Sequence, residues 1–410
     1  MAVVVDSPAV RVALWRGAEV WDKQEIKTMI TRVKVKNFKS FEDFELANIG
    51  SFTCLIGLNG SGKTTLLQFL DFIRAMLDRR IEDWFSKHRW KPQDIITFAS
   101  PKRSVEFEID VSSQGVTQRW KAFFNIQELR CTSETLLEIR GGGEVKLMSF
   151  SENKLSLSEG DSTLPKSFKH TGSMLSYVGQ TWPLVQELKA AKIFGVLDPE
   201  SISQASQVSG NVSEVDVASD GGGLVGFLSK LDAASQEDFV GKLREFYPPL
   251  KNYRIRKQRF GWKNLLLNEL EKAVFFDSSH LSYGTLRLFV FLSQLYSKNK
   301  CIFFDEIENG MNQELIGNLV NILQDFNGKQ VFVTTHSALL LNYLSDQAAR
   351  ESVVMLYKDG NGYTQAKRFF ELPAMEKELE FLGAGQVMSK TNLLELADSL
   401  AKKPAPQKVE

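Results

Sequence analysis

The run Phe52-Thr53-Cys54-Leu55-Ile56 passes directly into Gly57-Leu58-Asn59-Gly60-Ser61-Gly62-Lys63-Thr64-Thr65. Leu66, Leu67, Phe69, Leu70, Phe72 and Ile73 then follow at helical spacing. A short apolar run that ends on glycine is a buried strand, and the wide apolar stripe after the loop is a helix face over residues 63–86. Glycines let such a loop curl until its backbone N–H groups face one point, and the helix that follows adds the positive end of its dipole. The pattern is that of a Walker A loop, a cradle for phosphate groups. Lys63 would reach the β- and γ-phosphates of ATP, and the Thr64 hydroxyl would ligate magnesium. Gly57, Asn59, Gly60, Ser61, Gly62, Lys63, Thr64 and Thr65 are therefore candidate nucleotide contacts. A plain glycine-rich turn would not also require the Lys-Thr pair, the spacing, the strand and the helix.

Three further segments carry related chemistry. Ile302-Phe303-Phe304-Asp305-Glu306 is an apolar strand that delivers two carboxylates to the rim of a sheet, the Walker B pattern. Asp305 would hold the metal through water, and Glu306 would polarise the attacking water as general base. Alone, an apolar strand before Asp-Glu is a common strand end; the loop upstream gives it a function. Leu281-Ser282-Tyr283-Gly284-Thr285-Leu286-Arg287 opens a helix with a serine and a glycine able to donate to a γ-phosphate. Its structural reading is an N-cap, by Ser282 or Thr285, on the helix over residues 286–298. Thr334-Thr335-His336-Ser337 follows the last apolar strand and sets an imidazole just past the end of a core strand. The plainer alternative for His336 is a surface residue capping a helix.

Together with Asn37-Phe38-Lys39-Ser40-Phe41 and Asp305-Glu306-Ile307-Glu308-Asn309-Gly310, these motifs resemble the SMC/RecF/OLD branch of ABC ATPases. More narrowly, the chain is similar to small single-chain bacterial "AAA family" ATPases linked to phage defence. The resemblance covers residues 29–390, including Asp220 to Leu250 and Phe381-Leu382-Gly383-Ala384-Gly385-Gln386. It implies an α/β fold: an ABC-type P-loop ATPase head with a mixed β-sheet flanked by helices, a middle insertion of helices and strands, and no long coiled coil. It implies ATP hydrolysis with magnesium. Lys63, Glu306 and His336 would then be catalytic, Lys39, Ser282 and Gly284 would join the loop as nucleotide contacts, and Thr64 and Asp305 would bind the metal. It further implies a head-to-head homodimer or higher oligomer, in which ATP on Lys63 and Thr64 of one subunit is completed by Ser282 and Gly284 of the other. A separate effector, nuclease-like, would receive the output. The chain departs from the family in three places. Asn309-Gly310-Met311-Asn312-Gln313 lacks the usual histidine and proline, Gln93 is the one candidate for a Q-loop glutamine, and no carboxylate-rich nuclease module follows residue 390.

Division of the chain follows from the placement of these motifs. Residues 1–28 have mixed composition and no period, and read as a flexible or added extension. Residues 29–150 form an N-terminal ATPase lobe, with a hairpin at Gly141-Gly142-Gly143. Residues 151–277 form an insertion of polar loops, helices and a basic strand pair. Residues 278–390 form the C-terminal lobe, and 391–410 a frayed tail. Within the insertion, 181–196 reads as a helix and 224–247 as a helix or helix pair. The strands before Gly57 and after residue 300 must pair into one sheet.

Lysine plus arginine equals aspartate plus glutamate at 50 each, so no global charge draws the chain to nucleic acid or membrane. The three cysteines are widely spaced, which excludes a disulfide framework or zinc site and fits a cytoplasmic protein. No apolar run reaches the ~20 residues of a membrane span. The local exception in charge is Lys251, Arg254, Arg256, Lys257, Arg259 and Lys263, interleaved with Tyr253, Phe260 and Trp262. This stretch is either a DNA contact or the solvated face of a strand pair. Three functions fit the whole: an ATPase motor or sensor for a partner effector, a RecF-like DNA-binding ATPase of DNA repair or maintenance, and a slow-turnover ATP switch module.

Overall fold

Two β-sheets face each other across the helix that follows the glycine loop. The computed structural model describes residues 28–98, 100–158, 160–164, 168–207, 216–269, 274–326 and 328–402. Most of the expected N-terminal extension, and the end of the expected tail, lie outside these residues.

The first sheet is antiparallel throughout. Its strands run in the order Phe41–Leu46, Met29–Phe38, Ser104–Ser113, Val116–Asn125, Arg130–Arg140, Gly143–Ser151, Lys154–Leu157 and Gly160–Thr163. Its inner face alternates as a half-buried sheet must: Val105, Phe107 and Ile109 point inward while Glu106 and Glu108 face out. The hairpin between residues 140 and 143 falls where the glycine run marks it.

The second sheet has the order Ala191–Phe194, Cys301–Phe304, Gln330–Thr334, Phe52–Ile56, Val353–Lys358 and Thr364–Arg368. The first five are parallel and the last is antiparallel. Phe52–Ile56, Cys301–Phe304 and Gln330–Thr334 are buried along their whole length. Continuous apolar runs are what a parallel sheet covered on both faces requires. Phe303 and Phe332, 4.3 Å apart between ring centres, join Leu55 in facing the helix Lys63–Leu77 and the first sheet. Ile302, Phe304, Val331 and Val333 face the other layer, formed by Ala233–Phe246, Tyr283–Ser293, Gln313–Gln324 and the helices after residue 383. This is an α/β fold with the glycine loop at the end of a central strand, and no helix among the described residues is longer than the fifteen of Lys63–Leu77. No described helix is long and apolar enough to cross a membrane.

Several elements differ from the sequence reading. The expected helix 63–86 is two, Lys63–Leu77 and Ile81–His88, broken where Arg79 adopts φ 58°. Trp84 folds back to donate to Asp71 at 2.8 Å and packs on Phe72, so tertiary contact overrides helical continuity. The expected helix 181–196 is Pro183–Lys189, followed by the strand Ala191–Phe194 on the edge of the second sheet. Gln93, the Q-loop candidate, lies in a 3₁₀ turn, Pro92–Ile95. Residues 338–352 hold two helices, Ala338–Leu341 and Asp346–Ser352, the second capped by Ser345. The polar stretch after 151 supplies two short strands to the first sheet. The expected frayed tail is helical over Leu393–Lys402, with Ala397 and Leu400 in the core.

One buried carboxyl is unpartnered. Glu187 is fully buried, and neither of its oxygens has a hydrogen-bond partner among the described residues. Burial pushes its pKa up to about 7, against the opposing pull of Lys300. Below the unfolded pKa the group is neutral in both states and its ionisation takes nothing from stability. As pH rises towards the folded pKa, the unfolded chain ionises first, so stability falls across about pH 4.5–7. Glu187→Met is therefore expected to raise stability by about 2 kcal/mol at pH 8. Thermal unfolding at both ends of the range checks it: the gain should shrink towards pH 4.

Candidate phosphate site

The glycine loop is shaped from below. Gly57, at φ 143°, lies so close to the backbone of Leu356 that a Cβ would meet its carbonyl oxygen at 2.3 Å. Thr364, on the last strand of the same sheet, donates to the Ser61 carbonyl at 2.9 Å, and its hydroxyl lies 2.8 Å from Ser40 Oγ. The loop is thus clamped between its own strand and the Asn37–Phe41 turn. The Lys63 ammonium rests on the carbonyls of Gly57 (2.8 Å) and Leu58 (3.1 Å). Burial lowers its pKa, opposed by the fields of Asp305, Glu306 and Glu308. A cation held over phosphate-directed N–H groups and facing three carboxylates is poised to exchange carbonyls for phosphate oxygens.

The carboxylates arrive from the neighbouring strands. The backbone N–H of Asp305 donates to Phe194 on the edge strand at 2.9 Å. Thr334 donates its hydroxyl to Asp305 and accepts from the Glu306 N–H at 2.8 Å. Glu306 adopts φ 47°, an uncommon conformation for a non-glycine residue, which turns its side chain out of the strand line. Arg287, buried to 2% exposure, donates to the Glu306 carbonyl at 2.8 Å and to the Tyr283 hydroxyl at 3.0 Å. His336 accompanies them, its N–H bound to Glu308 at 2.7 Å.

A cleft of about 270 Å³ gathers Lys39, Ser40, Asn59, Gly60, Gly62, Lys63, Thr64, Thr65, Asp305, Glu306, His336 and Lys358. Lys39 sits 3.2 Å over the ring of Trp90 and donates to Gln68 at 2.8 Å; burial lowers its pKa to about 8, against the field of Asp94. Lys39 and Ser40 also line a larger cavity of about 900 Å³ with Gln93, Phe98 and Tyr363. Gln93 therefore lies beside the cleft rather than in it.

Ser282 and Gly284 are outside the cleft. Ser282 caps its own helix through the Thr285 N–H at 3.2 Å and remains exposed. Gly284 packs on the turn after Glu308, where a Cβ would meet the Gly310 carbonyl at 2.0 Å. Both positions thus have a reason within the chain. The basic stretch from Lys251 to Lys263 lies on a separate small sheet, with the strand order Ser206–Gln207, Trp262–Asn268 and Asn252–Lys257.

Sequence reasoning named the motif residues but not those that hold them. Thr364, Lys358 and Gln68 carry no motif, and Thr334 and Arg287 stand in the sequence only as parts of longer runs. Thr364 stands about three hundred residues from the loop that it clamps, so no local sequence signal marks it.

Residues 52–342 match the family model described as "AAA domain, putative AbiEii toxin, Type IV TA system". The OLD nuclease of Thermus scotoductus (strain ATCC 700910 / SA-01) is 35% identical over 82 residues, 20% of this chain and 14% of that protein, so the match spans about a seventh of the relative's length. Two solved structures are also similar. One is the Smc head domain with an extended coiled coil bound to the C-terminal domain of ScpA, derived from Pyrococcus furiosus, with TM-score 0.48 and 13% identity over 86% of this chain and 100% of that one. The other is the SMC head domain from Thermotoga maritima, with TM-score 0.42 and 12% identity over 82% of this chain and 98% of that one. With its glycine loop, the paired carboxylates Asp305 and Glu306 and His336 set along the parallel strands of one sheet, this protein belongs to the family of that AAA-domain model.

Proposed function

We propose that this protein hydrolyses ATP with magnesium, that ATP clamps two copies head to head, and that the clamp drives a separate effector in defence against phage. One observation carries the reading. The cleft collects Lys63, Thr64, Asp305, Glu306 and His336, while Ser282 stands exposed outside it, so a single chain offers half of a site.

The residues present fit magnesium. Thr64 Oγ1 and Asp305 Oδ2 lie 3.4 Å apart, two hard oxygen donors at one edge of the cleft. Magnesium takes one or two protein oxygens and completes its shell with phosphate and water. Bound there with ATP, the ion would neutralise charge on the β- and γ-phosphates. Lys63 would release the loop carbonyls and donate to the same oxygens. Glu306, fixed by Thr334 and Arg287 through its backbone, would orient and deprotonate the attacking water, and His336 would donate to the γ-phosphate. A second copy's Ser282 would close the γ-phosphate from the far side.

The effector's chemistry is the least constrained element. A nuclease is the natural candidate, since a relative matched over 82 residues is named an OLD nuclease. Lys63→Ala is expected to weaken ATP binding by roughly 10–100-fold, the scale of a lost charge-assisted contact. Titration calorimetry with the full chain checks it, and unchanged affinity would overturn the assignment of this cleft.

A further inference from the structure

The small sheet carries a surface that the ATP chemistry does not use. Along Asn252–Lys257, Tyr253 and Ile255 turn towards the core, opposite Leu267 and Leu265, while Arg254 and Arg256 face solvent. The register continues past the core and sets Lys257 directly across from Lys263. Burial, with the fields of Lys230 and Lys257, holds the Lys263 ammonium below its usual range. Like charges directly opposed destabilise a hairpin, so this end of the sheet is arranged for an anion between them.

A pocket of about 280 Å³ lies beside that pair, lined by Ser229, Gln236, Tyr253, Arg254, Lys257 and Lys263 among others. Ser229 accepts from Lys263 at 2.9 Å. The Tyr253 hydroxyl is buried there with no hydrogen-bond partner among the described residues. Among the described residues no salt bridge involves Lys251, Arg254, Arg256, Lys257, Arg259 or Lys263. The hairpin tip adds aromatic surface: Phe260, at φ 58°, is 87% exposed, and Trp262 is 39% exposed. Charges on an edge strand also discourage sheet-to-sheet pairing. That role accounts for Arg254 and Arg256, but not for two facing lysines beside a pocket, or for an exposed phenylalanine at the tip.

We propose that this hairpin binds single-stranded nucleic acid. Backbone phosphates lie over Arg254, Lys257 and Lys263, and bases stack on Phe260 and Trp262. Phosphate contacts of this kind give a salt-dependent affinity, and stacking gives tolerance of sequence.

Fluorescence anisotropy of the full chain with labelled oligo-dT, oligo-U and a duplex of equal length tests it. The single strands should bind more tightly than the duplex, with log affinity falling against log salt by about 0.7 per phosphate contacted. Oligo-dT and oligo-U separate a DNA ligand from an RNA one; preference for either, or equal binding, supports the shared chemistry. The double variant Lys257→Glu/Lys263→Glu should lose at least about tenfold in affinity and flatten the salt slope. Phe260→Ala, at an exposed tip, should weaken binding roughly 5–100-fold and keep the salt slope. Both variants should hydrolyse ATP alone at the unmodified rate, which reports an intact fold. Absent or salt-independent binding, duplex bound as tightly as single strands, or full affinity in either folded variant overturns the proposal.

Discussion

Glu306→Gln is expected to lower the turnover number for ATP by about 10²–10⁴-fold, the usual contribution of a general base, while leaving ATP affinity near the unmodified value. The geometry separates the two effects. Glu306 is held by its backbone, through Thr334 to its N–H and Arg287 to its carbonyl, and its carboxylate makes one long contact, 3.4 Å from Asn309. Replacing the carboxylate with an amide of the same shape leaves that backbone frame intact and removes only the proton acceptor. Lys63 and the loop N–H groups, which would hold the phosphates, are unaffected. Single-turnover hydrolysis and equilibrium binding on one preparation check it. A variant that hydrolyses at the unmodified rate would show that the base is another group.

Ser282→Arg is expected to abolish ATP-dependent association and reduce hydrolysis to the residual rate of an isolated head. Ser282 is exposed, and among the described residues its hydroxyl contacts only the Thr285 N–H and side chain, so its role within one chain is a helix cap. Losing a cap costs about 1 kcal/mol, and the monomer should survive it. A bulky cation facing a second head would meet that head's bound ATP and Lys63 from the wrong side. Sedimentation with and without ATP, together with steady-state hydrolysis, separates the outcomes. If association and hydrolysis both persist, Ser282 is a cap and nothing more, and each cleft works alone.

The parts of the site that were legible in the sequence are those fixed by local chemistry. Glycines at 57, 60 and 62 mark a loop by their conformational freedom, and Asp305-Glu306 after an apolar strand marks a sheet rim. Their spacing carries the information without help from distant residues. The supporting groups could not be read in this way. Thr364 meets Ser61 and Ser40 across about three hundred residues of chain, and Arg287 reaches the Glu306 carbonyl only once a helix has packed on the strand end. Ala191–Phe194 is four residues long and takes strand form because Cys301–Phe304 offers a parallel edge. Its composition reads as a helix continuing from Pro183–Lys189. The break at Arg79 has no glycine or proline to announce it; it follows from Trp84 docking on Phe72 and Asp71. Gly284 is the instructive case. As part of a motif it reads as a phosphate contact, yet the Gly310 carbonyl already forbids a side chain there. The asparagine-glycine turn that departs from the family pattern is the one that packs against it.

The central claim is that each cleft is half of a site. The direct measurement is the solution mass of the full-length Glu306→Gln chain, which should retain ATP without consuming it. With magnesium and ATP the mass should double, and without ATP, or with Ser282→Arg added, it should return to the smaller value. An identical mass with and without ATP would contradict the composite site.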